Sequence, residues 1–377
     1  MISPDKCCGC GGCVNICPTN AINMTANADG FSVPIVDSEK CILCNACEWV
    51  CPERNHIEKQ NYSQKFFAAY INEVLTRVES SSGGIFSALS DYVLENNGYV
   101  VGVSMDNDFI ARFHIASNKN ERNRFLKSKY VQSETGTIYK QVKDLLNQDH
   151  LVLFSGLPCQ VAALRLFLKR EYNNLFTVDL LCHGVTSASL FKDYLKYKER
   201  YGNKIISYEF RARDENRGWE KTCFKATYAD GQTEVLTNRN DYYWGLFYRR
   251  IGHRDSCLNC KYKSTNRLGD ITLGDFWGVK EHFPKLDIYN GVSLVSVNSD
   301  KGDQLLHNIG EVITMIPCNG IDVVPDTMKS VGKPYRFRKQ FFDMYREKGF
   351  SVACFVHVFL SHICIKLPLV KRFFEVK

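Results

Sequence analysis

Cys7-Cys8-Gly9-Cys10-Gly11-Gly12-Cys13-Val14-Asn15-Ile16-Cys17-Pro18 and, 34 residues later, Cys41-Ile42-Leu43-Cys44-Asn45-Ala46-Cys47-Glu48-Trp49-Val50-Cys51-Pro52 both follow the pattern C-x2-C-x2-C-x3-C-P. Such spacing lets one loop wrap three thiolates round a face of an iron–sulfur cube, while the proline turn releases the fourth cysteine toward a second cube. It therefore assigns Cys7, Cys10, Cys13 and Cys51 to one [4Fe-4S] cluster, and Cys41, Cys44, Cys47 and Cys17 to another. Gly9, Gly11 and Gly12 permit close backbone approach, with amide N–H groups aimed at sulfur. A lone CxxC pair would suit zinc; two complete runs with a trailing proline favour clusters. Cys8 falls outside the pattern and reads as a bystander.

Between the runs, Ala21–Met24 and Phe31–Val36 read as short strands around the turn Asn27-Ala28-Asp29-Gly30. Residues 1–60 thus form an α+β ferredoxin-like module with pseudo-twofold symmetry. Adjacent clusters move single electrons and perform little organic chemistry alone, so another site must use them.

The rest of the chain has ordinary globular composition: 377 residues, 45% hydrophobic and 24% charged, room for two or three domains. Cysteine is the outlier, at 17. Met1-Ile2-Ser3-Pro4-Asp5-Lys6 carries no apolar run of the secretory kind, so the expectation is a cytoplasmic protein whose thiols are free for metals. The formal charge of +7 treats every cysteine as neutral. With twelve thiolates and three clusters in the 2+ state it falls to roughly +1, which removes the electrostatic reason to expect nucleic acid. Tyr242-Tyr243-Trp244, Phe247-Tyr248, Arg249-Arg250 and Arg254 interleave aromatic and basic residues, and read as a shield over a cluster rather than a nucleic-acid surface.

A polar stretch from Glu53 to Gln64 suggests a linker, set at 61–75, followed by a large domain over 76–325. Ile85–Glu95 has a helical apolar face closed by Asn96-Asn97-Gly98. Tyr99–Val103 follows as a strand, Leu151–Phe154 as a buried strand, Gln160–Glu171 as a helix, Phe176–Leu181 as a strand and Ser189–Tyr201 as a helix. This alternation predicts an α/β domain with a mainly parallel sheet. Cys159 and Cys182 each lie just past an apolar run, at the sheet edge where ligands gather, and Cys257-x2-Cys260 supplies two more thiols. Four together point to a metal site, with zinc and a cluster both open. Cys223, Cys318, Cys354 and Cys364 lack such partners and read as core or incidental thiols.

Ser80-Ser81-Ser82-Gly83-Gly84 precedes the Ile85 helix. It suits a phosphate, through freed N–H groups, hydroxyls and the helix end, or serves simply as a cap. Lys127-Ser128-Lys129-Tyr130 adds positive charge. Residues 326–377 form a basic, amphipathic extension. Its uncharged stretch 351–365 is too short to span a membrane, since Lys366 and Pro368 interrupt it. Arg346, Lys348, Lys371 and Arg372 permit an interfacial helix, or docking on the body or on a partner.

With these residues in view, the chain resembles the family of coenzyme F-420 (deazaflavin) hydrogenase and dehydrogenase beta subunits. Matching stretches are Ser81–Gly84, Ser128–Ser133, Gly156–Gln160, Cys182–Val185, Cys257–Tyr262, Asp270–Gly278 and Gly291–Leu294. The resemblance implies a flavin-binding domain, with FAD lined by Ser82, Gly83, Gly84, Ser128, Lys129, Tyr130 and Gln132. It also implies a third [4Fe-4S] cluster on Cys159, Cys182, Cys257 and Cys260. Members of the family use deazaflavin, ferredoxin or other partners, and no deazaflavin pocket is identifiable here. The expected activity is an iron–sulfur flavoprotein oxidoreductase taking electrons from a ferredoxin-like or deazaflavin donor to an organic substrate. The alternatives are a non-catalytic electron-relay subunit of a larger complex and a zinc-stabilised binding module. His183, beside Cys182, is the candidate proton donor; it could equally bond backbone near the cluster.

Overall fold

The computed structural model describes residues 2–57, 62–213, 218–236 and 241–360. In the N-terminal module, β1 (Ile22–Ala26) pairs antiparallel with β2 (Ser32–Val36). Asn27 closes the hairpin, its Oδ1 accepting N–H groups from Asp29 and Phe31. The two cysteine runs are structural copies: the short helices Gly12–Ile16 and Ala46–Trp49 start from the equivalent residues Gly11 and Asn45, both left-handed, at φ 70 and 58.

The large domain is built on an eight-stranded sheet. Its strands are β3 (Lys65–Ile71), β4 (Tyr99–Met105), β5 (Ala111–Ala116), β6 (Val152–Gly156) and β7 (Leu175–Leu180). A separate antiparallel meander follows, β8 (Ile205–Ala212), β9 (Cys223–Tyr228) and β10 (Thr233–Leu236), before β11 (Ile271–Asp275), β12 (Ser293–Val297) and β13 (Ile313–Cys318) complete the large sheet. The order is β13-β3-β12-β11-β7-β6-β4-β5. Only β4, β6, β7 and β11 run parallel to their neighbours within that group. The remaining pairings are antiparallel, so the sheet is mixed rather than mainly parallel. Loop length is the reason: β5 returns after residues 106–110, too few for the helical crossover that parallel pairing needs, whereas helix Pro158–Leu168 carries β6 into β7.

A second difference concerns the linker. Residues 65–71 are β3, an interior strand between β12 and β13, with Ala68 and Ala69 fully buried. Strands buried on both faces read as continuous apolar runs and lose the alternation that marks a half-exposed strand. The sheet domain therefore begins at residue 65.

Helix Ile85–Glu95 forms over the expected residues and buries Ile85, Ala88, Leu89 and Val93 on one face of the sheet. Helices Ile138–Asn147 and Pro158–Leu168 cover the other. The latter starts two residues earlier than the apolar pattern suggests, because Pro158 suits the first helical turn. Ser189–Tyr201 resolves into a helix over Ala188–Lys198 and a tighter turn over Glu199–Tyr201.

As far as residue 360, the C-terminal extension is part of the core. Phe341, Phe342, Phe350, Ala353, Cys354 and Val358 pack with Tyr194, Phe210 and Tyr243 against the three-stranded sheet. Among the described residues no helix is long and apolar enough to cross a membrane. Cys364, Lys366, Pro368, Lys371 and Arg372 lie outside the described residues.

Candidate functional site: a thiol seam and a cavity at the strand ends

The module docks on the large domain through its first cysteine loop. Tyr139, fully buried, donates its hydroxyl to the Cys10 carbonyl at 2.8 Å. Thr135 donates to the same carbonyl at 3.2 Å. Lys261 Nζ and Tyr262 Oη donate to the Pro52 carbonyl, just past the last thiol of the second run. Of the module's thiols, Cys7, Cys10 and Cys17 are buried, while Cys44 is exposed. Around Cys44, Ile42 is 63% exposed, Leu43 81% and Trp49 69%.

The cysteine loops suit clusters. Gly9 N–H donates to Cys7 Sγ at 3.3 Å and Ala21 N–H to Cys17 Sγ at 3.2 Å, the backbone-to-sulfur bonds that stabilise thiolates. Burial pushes Cys13 up to about 12, and the thiols of Cys7, Cys51 and Cys47 add to the rise. Cys17 packs in one small apolar cluster with Cys13, Cys41 and Cys47. Among the described residues no three His, Cys, Asp or Glu side chains close round one metal ion.

Cys159 lies in the first turn of helix Pro158–Leu168, Cys182 two residues past β7, and Cys257 in the short helix Asp255–Leu258. Cys159 and Cys257 each feel the charge of Cys182, and Cys159 also that of Cys260. Burial pushes Cys257 up to about 12 and Cys260 to about 11, so these thiols release protons on taking a metal. Cys8 is no idle neighbour: the neighbouring thiols of Cys10 and Cys159 pull its own well down. The first cysteine loop therefore abuts the third thiol set through sulfur.

Beyond Cys182 lies a cavity of about 830 Å³. It opens at the carboxyl ends of the parallel strands, lined by Val103, Gly156, Leu180 and Asp275, the place where α/β sheets hold ligands. Ser81, Ser82, Ser128, Lys127, paired with Glu209, and Arg211 give it a polar part; Tyr130, Trp244, Phe247, Tyr248 and Trp277 give it flat aromatic walls. Its size is that of a cofactor or small-ligand site.

Of the residues tied to FAD by resemblance, Ser82, Gly84, Ser128, Lys129 and Tyr130 line this cavity, and Gly83 and Gln132 do not. Gly83 packs on the sheet: a Cβ there would stand 2.3 Å from the Ala69 carbonyl oxygen, and its N–H is taken by Ser293 Oγ at 3.0 Å. Its lack of a side chain serves the sheet rather than a phosphate. Gln132 lies on the docking seam, its Oε1 accepting from Arg254 Nη1 at 2.7 Å. Lys129 directs Nζ to the carbonyls of Arg124, Phe125 and Leu126 at 2.8 to 3.2 Å, which uses all three of its protons. Burial pushes its pKa down to about 7, while those carbonyls favour the ammonium. It fixes the loop rather than reaching into the cavity. His183 opens on the cavity, yet burial, with Lys263 and Arg250, pushes it down to about 4. At neutral pH it is a neutral ring and not a standing acid.

Several cavity residues escape local sequence patterns. Arg211, from β8, pairs with Asp275, from β11, at 2.8 Å and donates to the Ser81 carbonyl at 2.7 Å. Trp277 stacks on Trp219 with centroids 4.8 Å apart. Tyr130 stacks on Phe247 at 4.5 Å. The Tyr242–Tyr248 aromatics thus wall the cavity and fill the core instead of shielding a cluster: Tyr243 is fully buried, and Trp244, Phe247 and Tyr248 face the cavity. The spacing of Asp275 and Trp277 within Asp270–Gly278 is the one available signal.

A two-run cysteine module docked, thiol to thiol, on an α/β domain with a strand-end cavity defines an iron–sulfur redox protein. Residues 6–55 match the 4Fe-4S dicluster domain, and residues 149–317 match the C terminus of the coenzyme F420 hydrogenase/dehydrogenase beta subunit. The chain thus joins a dicluster domain at its N-terminal end to a segment of that beta-subunit type. It is 22% identical over 228 residues to one of the subunits of the F(420)H(2) dehydrogenase of Methanosarcina mazei, covering 56% of this chain and 63% of that one. It is 31% identical over 87 residues to an uncharacterized polyferredoxin-like protein of Methanocaldococcus jannaschii, covering 19% of this chain and 52% of that one. The chain thus spans less than two thirds of the length of these relatives. A chain of the F420-reducing [NiFe] hydrogenase complex from Methanosarcina barkeri superposes with a TM-score of 0.49 at 16% identity, covering 73% of this chain and 91% of that one.

Proposed function

We propose that the chain is an iron–sulfur flavoprotein oxidoreductase, passing electrons from a ferredoxin-like or deazaflavin donor through three [4Fe-4S] clusters and FAD to an organic substrate. One observation carries this reading: Cys182 borders the cavity and also neighbours Cys159 and Cys257, while Cys159 meets Cys8 at the module seam. Thiols therefore line the way from the first cysteine loop to the cavity wall. Cys7, Cys10, Cys13 and Cys51 hold the inner module cluster, and Cys41, Cys44, Cys47 and Cys17 the outer one. Cys159, Cys182, Cys257 and Cys260 hold the third. In the cavity, the Ser81, Ser82 and Ser128 hydroxyls with Lys127 and Arg211 suit a diphosphate, and Tyr130, Phe247 and Trp277 suit a flat ring system. Bound FAD would supply the exchange between a two-electron substrate and one-electron clusters. The protein's part is to hold the ring against the aromatic walls and to exclude water from the Cys182 side.

An electron-relay role within a larger complex is the second reading, favoured by the relative that is itself one part of a dehydrogenase and by the apolar collar around Cys44. Turnover without any partner protein separates the two. The test of the main reading is anaerobic reconstitution with iron and flavin analysis. About twelve irons are expected, falling to about eight in Cys257→Ser/Cys260→Ser, with FAD retained and ferredoxin-to-flavin transfer slowed. Saturation of the wild type at about eight irons with one zinc would replace the third cluster by a structural zinc.

A further inference from the structure

Arg254 is one of the largest fully buried side chains, 2% exposed, and no carboxylate among the described residues lies within ion-pair distance of it. Its neighbour Asp255 is committed to Arg338. Every Arg254 side-chain hydrogen bond is to a neutral oxygen: Nε donates to the Cys7 carbonyl, Nη1 to Gln132 Oε1 at 2.7 Å, and Nη2 to the Ser32 carbonyl at 2.9 Å, while the guanidinium lies over the Phe31 ring, 5.5 Å from its centroid. Its main chain caps the cysteine helix, the Arg254 carbonyl accepting from Cys257 N–H at 3.0 Å. A guanidinium does not shed its proton, and an uncompensated buried charge is strongly destabilising. The balancing charge must therefore come from something not yet counted, and the groups around this cation are Cys7, Cys8 and Cys257.

We propose that Arg254 is the counter-ion shared by the inner module cluster and the third cluster, and that it sets their reduction potentials above that of the outer cluster. This rests on the cluster assignments proposed above. A cube bearing four thiolates is a net anion and gains another negative charge on reduction, so a fixed cation beside it favours the reduced state. Arg254 lies on the seam, touching the loop of Cys7 and capping the helix of Cys257. Among the described residues the outer cluster, at the Cys44 end, has no buried cation of this kind. Electrons entering there run downhill to the seam and on toward the cavity. Arg254 is a positioning and tuning residue, not one that meets substrate.

The test is an anaerobic redox titration of the reconstituted full chain, followed by electron paramagnetic resonance. Arg254→Gln should make two of the three cluster steps more negative by a tenfold change in equilibrium or more, about 59 mV for one electron, and leave the third in place. Arg254→Lys keeps the charge and should hold both steps near the wild-type values. Gln132→Glu, nearly isosteric, gives the guanidinium an internal partner and should move the same two steps in the same direction. It decides the matter if Arg254→Gln loses iron. Unchanged potentials with about twelve irons retained would overturn the proposal and spare the cluster reading, as would equal shifts in the Lys and Gln variants. A wild type with fewer than three clusters would overturn both.

Discussion

Asn15 Oδ1 accepts the backbone N–H of Tyr139 at 3.1 Å, across the seam between the module and the large domain. It also accepts from Lys140 N–H at 3.3 Å, while Asn15 Nδ2 donates to the Gly136 carbonyl at 2.8 Å. Helix Ile138–Asn147 has no cap from its own Thr137 side chain, so a residue of the module caps it. Asn15→Ala should destabilise the whole chain by about 1–3 kcal/mol, because buried N–H groups are left unpaired. Urea unfolding of the reconstituted protein measures this, and a change below a few tenths of a kcal/mol would show that the helix end finds water.

Gly83 gives a prediction opposite to the phosphate-cradle expectation. Gly83→Ala should lower stability by about 1–3 kcal/mol even in flavin-free protein, since the added methyl meets the Ala69 oxygen and Ser293 nitrogen. Unchanged melting of the flavin-free variant, together with loss of FAD, would return Gly83 to the cofactor.

Cys8 touches both Cys10 and Cys159 yet is assigned to no cluster. Cys8→Ala should keep about twelve irons after reconstitution. A fall to about eight would make it a ligand and displace one of the four thiols of its cluster.

Trp277 presents a half-exposed face to the cavity while stacked on Trp219. Trp277→Ala should weaken flavin retention about threefold to tenfold, the worth of one aromatic contact, with little effect on melting. Fluorescence titration with free FAD reads it directly; unaltered affinity would place the ring system elsewhere in the cavity.

How much of this is legible in the chain follows from how local each signal is. The eight module cysteines and helix Ile85–Glu95 are written in spacings of a few residues, which a linear reading captures. β3 escapes it because Phe66-Phe67-Ala68-Ala69 is buried on both faces and shows no alternation. The antiparallel half of the large sheet depends on strands that return from far along the chain, β3 pairing with β12 and β13. Arg211 and Asp275 meet across 64 residues, and Arg254 and Gln132 across 122, distances over which no periodicity connects them. Gln132 shows the limit of a motif: the stretch around it adjoins the cavity, while its side chain turns toward the module.

The exposure of Cys44 has a consequence at the bench. The collar of Ile42, Leu43 and Trp49 stands open to dissolved oxygen, whereas at the seam Cys7 and Cys10 are buried and their loop is bonded to Tyr139 and Gln132. A preparation handled in air should bleach from the outside inward. Its remaining brown colour would then report the inner clusters alone, and a sample that still looks holo would have lost its way of being charged.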